Sequence, residues 1–459
     1  MKPQEIVERA AKRCAVDDYV VLVTESSEAN LRWAGNTLTT NGVMRGRSVT
    51  VVAVDGRESG AAAGVVTRSV TDVDELDQLV DAAVTAARGA AVSPDAFPLV
   101  DGGGSPDFGE PAAETSAEVF SSFAPRLGEA FAAATAADRE LFGFVEHVLT
   151  TTYLGSSAGT ARRHVQPTGK LEMTGKADGR RRSSWVGQYS RDFSDVDVLE
   201  LDGQLARRLA WEDRQIALPP GRYDVVLPPG AVSDLMVYAY VESSARNAAE
   251  GRTVYSRAGG GTRVGDQLTT RPLNVFSDPQ YPGLQCEPFV AATASSAESS
   301  VFDNGLPLGR TSWIEDGHLR SLIQTRHSAG ITGLPVTPFV DNLVLQVDDG
   351  SGSLDDVIAR TERGLLLTTL WYIREVDPQT LLLTGLTRDG VYLVEAGEVV
   401  GAVNNFRFNE SPIDLLSRIA DAGDPAVTLP REWNDFFARV AMAPLRITDF
   451  NMSTVSQAS

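Results

Sequence analysis

The 459-residue chain has little cysteine and little histidine: two of the first and four of the second. Cys14 and Cys286 cannot build a disulfide framework or a cysteine-based zinc knuckle, and such usage predicts a reduced, cytoplasmic setting. Long apolar runs are missing too. No stretch approaches ~18 uninterrupted apolar residues, which predicts no membrane span. The opening MKPQEIVERAAKRC alternates charge with apolar residues and lacks a signal-peptide core. Positive charge is in deficit. Lys+Arg number 41 against 61 Asp+Glu, a net charge of −20 that disfavours nucleic acid, whose binding requires phosphate neutralisation. What is present, 42% hydrophobic and 22% charged residues, is globular in kind. A chain this long buries a core without staples and has room for about three domains.

Hydrophobic periodicity predicts a helix at residues 3–14, then strands at 19–23, 30–33, 48–54 and 59–66. Turn signals separate the strands at Ala34-Gly35-Asn36, Asn41-Gly42 and Asp55-Gly56. An amphipathic helix at 73–90 completes an α+β unit over residues 1–91. Residues 92–115, rich in Pro, Gly and Asp, read as a linker. A middle α+β domain is predicted over 116–219, with helices near 116–137 and 197–212 around strands near 142–154, 169–174 and 183–189. Residues 220–459 open with a strand at 223–227 and a helix at 231–249 behind Pro228-Pro229-Gly230. Short strands with Gly- and Pro-rich turns follow. The fold class expected is α+β, with N-terminal sheet-and-helix domains and a large β-rich C-terminal domain.

Four features invite a chemical reading. Gly155-Ser156-Ser157-Ala158-Gly159 has the nucleophile-elbow pattern, but Pro167 and a continuing β pattern follow where a helix is required, so a tight turn between strands is favoured. The glycines at 259–261 and 265 lack the Lys-Ser/Thr ending of a phosphate loop and read as a mobile loop. Arg162, Arg163, Lys170, Lys176 and Arg180–Arg182 form a basic patch, read as solvated strand surface rather than as a docking face for an acidic partner. His147, His164, His318 and His327 have no His-Glu-x-x-His spacing, so the sequence gives no positive sign of a zinc site, and no catalytic, cofactor-binding or metal-ligating residue is assigned.

Several stretches carry a resemblance. Val301-Phe302-Asp303-Asn304-Gly305-Leu306-Pro307, with Ile314-Glu315-Asp316-Gly317-His318-Leu319 after it, resembles a hairpin of the PmbA/TldD family of peptidase-related proteins. Tyr392-Leu393-Val394-Glu395-Ala396-Gly397 and Ala443-Pro444-Leu445-Arg446-Ile447 are similar to its later strands. The order and spacing of these pieces span nearly the whole chain and are closer to the TldE (PmbA) branch. In the TldD branch the helix after the Pro-Gly loop carries His-Glu-x-x-x-His. Here Val237 and Glu242 stand at the two histidine positions and Tyr238 at the general-base position. The resemblance thus implies no cofactor in this chain. It implies a cytoplasmic subunit pairing with a TldD-type metalloprotease that supplies zinc, as a heterodimer or alternatively a homodimer, to degrade or process unfolded peptides. Two rival readings stand beside it: a peptidase acting alone through an unrecognised site drawn from Glu242, Cys286, Glu287 and the histidines, and a regulatory protein-binding module.

Overall fold

A computed structural model describes residues 1–456. Its architecture is α+β: a sheet-and-helix N-terminal part, then a β-rich C-terminal part. The first sheet contains β1 (Asp18–Trp33), β2 (Leu38–Arg57), β3 (Gly60–Arg68), β4 (Glu140–Ser156), β5 (Ala161–Ala177) and β6 (Arg182–Ser190) in the spatial order β3-β2-β1-β4-β5-β6. The separate domains expected over 1–91 and 116–219 therefore share one continuous sheet, because β1 pairs with β4 from Val20–Ser156 to Trp33–Gly143. Composition marks the linker but carries no signal for strand pairing across it.

The strands are longer than the apolar runs that announced them. Val20 to Val23 and Val51 to Val54 are all buried, on both faces of the sheet. On one face Val21, Val23, Val49 and Val51 pack under α1 (Pro3–Arg13) and α2 (Val73–Gly89). On the other, Val20, Leu22, Val52 and Val54 meet Phe289, Val301 and Phe302 from the C-terminal part. Each such side chain contributes about 1.5–3 kcal/mol on full burial, and this second face joins the two halves of the molecule. Further along the sheet, Trp33, Leu141 and Met173 pack against α3 (Phe123–Ala136) and α4 (Val198–Trp211).

Two turn expectations shift. The chain reverses at Gly35 and Asn36, both with positive φ, whereas Asn41-Gly42 stays within β2, Gly42 opposite Asn30. Asp55 and Gly56 likewise remain paired in β2, and the reversal comes at residues 58–59, between Arg57 and Gly60. The Asp17 carboxylate accepts the Gly56 N–H at 2.8 Å, which holds Gly56 in the strand rather than freeing it to turn.

The C-terminal part holds two sheets with a helix between them. One sheet has six strands, with Leu273–Ser277 and Leu343–Val347 at its centre. The other has ten, with Gly221–Leu227 flanked by Leu445–Val455 and Arg363–Leu367. Between them lies α5 (Pro229–Val241), whose Val232, Leu235, Met236 and Val237 join a core with Leu227, Val275, Leu345, Leu365 and Met442. A helix that is apolar all round has to be covered on every side, and two facing sheets do that. The helix ends earlier than the span 231–249 expected: Glu242 caps it and a separate short helix, Ala245–Ala249, follows. No helix among the described residues is long and apolar enough to cross a membrane.

Candidate functional site

The helix singled out by sequence, α5, is a structural axis. Val237 is fully buried in the core. Tyr238 donates its hydroxyl to the Ile373 carbonyl at 2.8 Å, and its ring meets Trp433 edge-on at 4.6 Å. Glu242 lies beyond the last turn, its N–H donating to the Tyr238 carbonyl at 3.1 Å. Burial raises the Glu242 carboxyl above its ordinary range, and Glu375 and Glu298 add to the shift. The three positions thus sit in three environments: core, strand contact and helix end. Zinc requires three or four imidazole, thiolate or carboxylate donors converging at about 2.0–2.3 Å. The donor set on α5 does not fit that ion, and among the described residues no three His, Cys, Asp or Glu groups assemble to hold a metal.

The remaining candidates are dispersed. His147 is held in the first sheet between the Thr115 hydroxyl, 2.7 Å from Nδ1, and the Arg191 carbonyl, 2.8 Å from Nε2. His164 on β5 bonds Gln166 at 3.1 Å, and His318 bonds the Asp316 carbonyl at 2.8 Å. His327 sits on the helix Arg326–Thr332. Cys286 is buried, and burial pushes its thiol up to about 12, which keeps it protonated at neutral pH. Its neighbour Glu287 is pushed up to about 7 by the same cause. The elbow-like segment is a turn: Ser157 donates to Asp18 at 2.6 Å, Gly159 has φ +93°, and β5 follows directly. The basic patch is largely ion-paired, Lys170 with Glu146 and Asp435, Arg163 with Asp107, and Arg180 with Glu140.

Beyond the C-terminal half of α5 lies a cavity of about 260 Å³ with Glu287, Asp303, Asp341, Phe289 and Phe339 in its wall. Tyr240 connects the helix to it. Its ring stacks on Phe339 at 5.1 Å, and its hydroxyl both donates to the Val340 carbonyl at 2.9 Å and accepts the Val340 N–H at 2.8 Å. The wall carboxylates are partly neutralised: Asp303 pairs with Arg326 at 2.6 Å, and Asp341 pairs with Arg439.

Sequence reasoning missed the polar residues that fix this region. Asp234, 1% exposed on α5, accepts the Glu432 N–H at 2.8 Å, and burial raises its carboxyl well above the usual range. Glu432 in turn accepts the N–H groups of Tyr372 and Ile373 at 2.9 and 3.1 Å. A lone carboxylate in an apolar helix was the available signal for Asp234. Nothing local announces the Asp341–Arg439 pair, whose members are 98 positions apart.

Over residues 220–454 the sequence matches the family model described as the PmbA/TldA metallopeptidase C-terminal domain. No curated protein matches the chain. Solved structures share its fold end to end. TldE from Thermococcus kodakarensis superposes with a TM-score of 0.79 at 14% identity, covering 98% of this chain and 99% of that one. A protein from Thermotoga maritima, described as a candidate modulator of a DNA gyrase, gives 0.75 at 18% identity, over 98% and 99%. A Bacteroides thetaiotaomicron protein with a like description gives 0.76 at 16% identity, over 98% of each.

Proposed function

The chain belongs to the PmbA/TldD metallopeptidase family, and on that premise we propose that it is a TldE-type, non-catalytic subunit of a TldD/TldE-type zinc metalloprotease complex. The observation that carries this reading is α5 itself. Val237 is core and the Tyr238 hydroxyl is engaged by a strand carbonyl. A metallopeptidase lowers the pKa of a bound water towards ~7 with an open-sided metal, and this helix provides no such seat. In the reading proposed, a TldD-type partner supplies zinc and cuts unfolded peptides, and this chain supplies a matching wall. An extended peptide adding to a sheet edge is held by main-chain hydrogen bonds, which suits substrates of little sequence in common.

Copurification from the native host tests this. A His-Glu-x-x-x-His protein should accompany the chain, and peptide cleavage should require that partner. Stoichiometric zinc and cleavage by the isolated chain would overturn it. The descriptions of the Thermotoga and Bacteroides proteins favour a second reading, a regulator that binds a topoisomerase. With a net charge of −20 it would act through protein contact rather than through DNA. A pull-down that returned gyrase and no TldD-type protein would select it.

A further inference from the structure

The cavity beside Tyr240 holds more negative charge than its surroundings neutralise. Glu287, Glu298, Asp303 and Asp341 stand in its wall, and no Lys, Arg or His does. Two guanidiniums behind the wall answer them, Arg326 at Asp303 and Arg439 at Asp341. Glu298 is met by neutral donors, the Asn247 amide at 3.3 Å and the Ser296 hydroxyl at 2.9 Å. Glu287 has no cation. Arg439 acts on it only from a distance, its Nη1 and Nη2 being engaged by Asp341 and Thr168.

The Thr152 hydroxyl acts on the Glu287 carboxyl, yet Oε1 is buried and has no hydrogen-bond partner among the described residues. A buried acceptor without a donor is costly and rare. Asp341 faces the same space. Its Oδ2 takes Arg439, and its Oδ1 receives no hydrogen bond among the described residues. Burial raises the Asp341 carboxyl, while 41% of its side chain stays accessible. A group that protein surrounds and solvent still reaches lies on an internal surface, here the cavity wall. The wall is also fixed in advance. The Val290 N–H donates to the Leu306 carbonyl and the Gly305 N–H to the Val290 carbonyl, both at 2.9 Å. Phe289 packs with Leu22 and Leu154 of the first sheet, and the Phe339 ring is held by Tyr240 and Phe437.

We propose that this cavity binds a primary ammonium on a short apolar stem, the group that a lysine side chain or a free α-amine presents. An ammonium brings N–H donors and positive charge together, so it satisfies the stranded Oε1 and the surplus charge at once. A metal ion fits less well, because no three His, Cys, Asp or Glu groups among the described residues assemble to hold one. Phe289 and Phe339 offer apolar surface to the stem, and aromatic rings attract cations. A volume of about 260 Å³ is near the lower end for small-molecule pockets and suits one amino-acid-sized body. The site is built from this chain alone and does not depend on the subunit role proposed above.

Calorimetric titrations of the full chain with N-acetyl-lysinamide, leucinamide, N-acetyl-norleucinamide and calcium test it. At least one of the two amines should bind at one site, and the one that does so tells a side-chain ammonium from an α-ammonium. N-acetyl-norleucinamide has the lysine stem without its charge and should bind about tenfold more weakly or worse. Glu287→Gln keeps the shape and removes the charge, and should weaken the amine by a similar factor. Ala292→Lys leaves Glu287 in place and sets a tethered ammonium on the wall, so its loss of binding supports the site independently if the first variant folds poorly. Calcium that binds where both amines fail would overturn the ammonium assignment. No binding of either amine, equal binding of N-acetyl-lysinamide and N-acetyl-norleucinamide with none of leucinamide, or amine binding untouched by both substitutions would overturn the site.

Discussion

Removing one oxygen from Tyr240 should cost far more than removing one from Tyr238, two positions away on the same helix. Tyr240 is 4% exposed, and its hydroxyl satisfies both the N–H and the carbonyl of Val340. Phenylalanine keeps the ring against Phe339 and Phe437 but strands two buried backbone groups. Each unsatisfied group costs about 1–3 kcal/mol, so Tyr240→Phe should destabilise by roughly 2–6 kcal/mol. The Tyr238 hydroxyl makes one bond, to a carbonyl that also accepts from Arg374, and its residue is only half-buried. Water or Arg374 can replace it, so Tyr238→Phe should cost about 0.5–1.5 kcal/mol. Urea unfolding followed by tryptophan fluorescence compares the two. Because the two variants share one denaturant slope, the Tyr240→Phe midpoint should fall about three times as far as the Tyr238→Phe midpoint or more. Equal shifts, or a larger shift for Tyr238→Phe, would refute the claim that the Val340 bonds pin α5 to the cavity wall.

Asp234 has its carboxyl pKa raised by burial, with Glu432 nearby adding to the rise. Its contribution to stability is therefore complete below the unfolded value of about 3.9 and is lost as pH rises towards the folded value. Asp234→Asn should flatten that decline, so wild-type and variant melting curves that stay parallel from acid to alkaline pH would contradict it. Cys14 and Cys286 are buried, with thiols pushed up to about 11 and about 12. Both should react with iodoacetamide only at the rate of opening, and rapid labelling of either in the native protein would count against this. Writing the metal motif back, with Val237→His, Tyr238→Glu and Glu242→His, should yield no tight zinc binding, since position 237 is closed core and Glu242 lies past the helix end. Calorimetric titration giving one zinc per chain at sub-micromolar affinity would show that α5 tolerates the site.

Much of this was legible in the residues. Continuous apolar runs at 20–23 and 49–54 announced strands, and Pro228-Pro229-Gly230 located the start of α5 to within two residues. The lengths of β1 and β2 were not legible: residues 38–47 of β2 are mostly polar and exposed and are held by cross-strand pairing, while the far half of β1 buries Ser27, Ala29, Leu31 and Trp33 only in alternation with polar residues. The turn at Asp55-Gly56 failed for a tertiary reason, the bond from the Gly56 N–H to Asp17. At the candidate site the sequence exposed what α5 lacks, because histidine is rare enough to count. It was silent on Asp341 with Arg439, whose meaning depends on which distant segments surround them.

The join between β1 and β4 has a consequence for biosynthesis. β4 begins about a hundred residues after β1 ends, and ribosomes add roughly 5–20 residues per second. For some 5–20 seconds the nascent β1–β2 hairpin therefore waits with one flank of β1 unoccupied. An open strand flank is a template for foreign chains, so translation speed and chaperone supply bear on the yield of this protein.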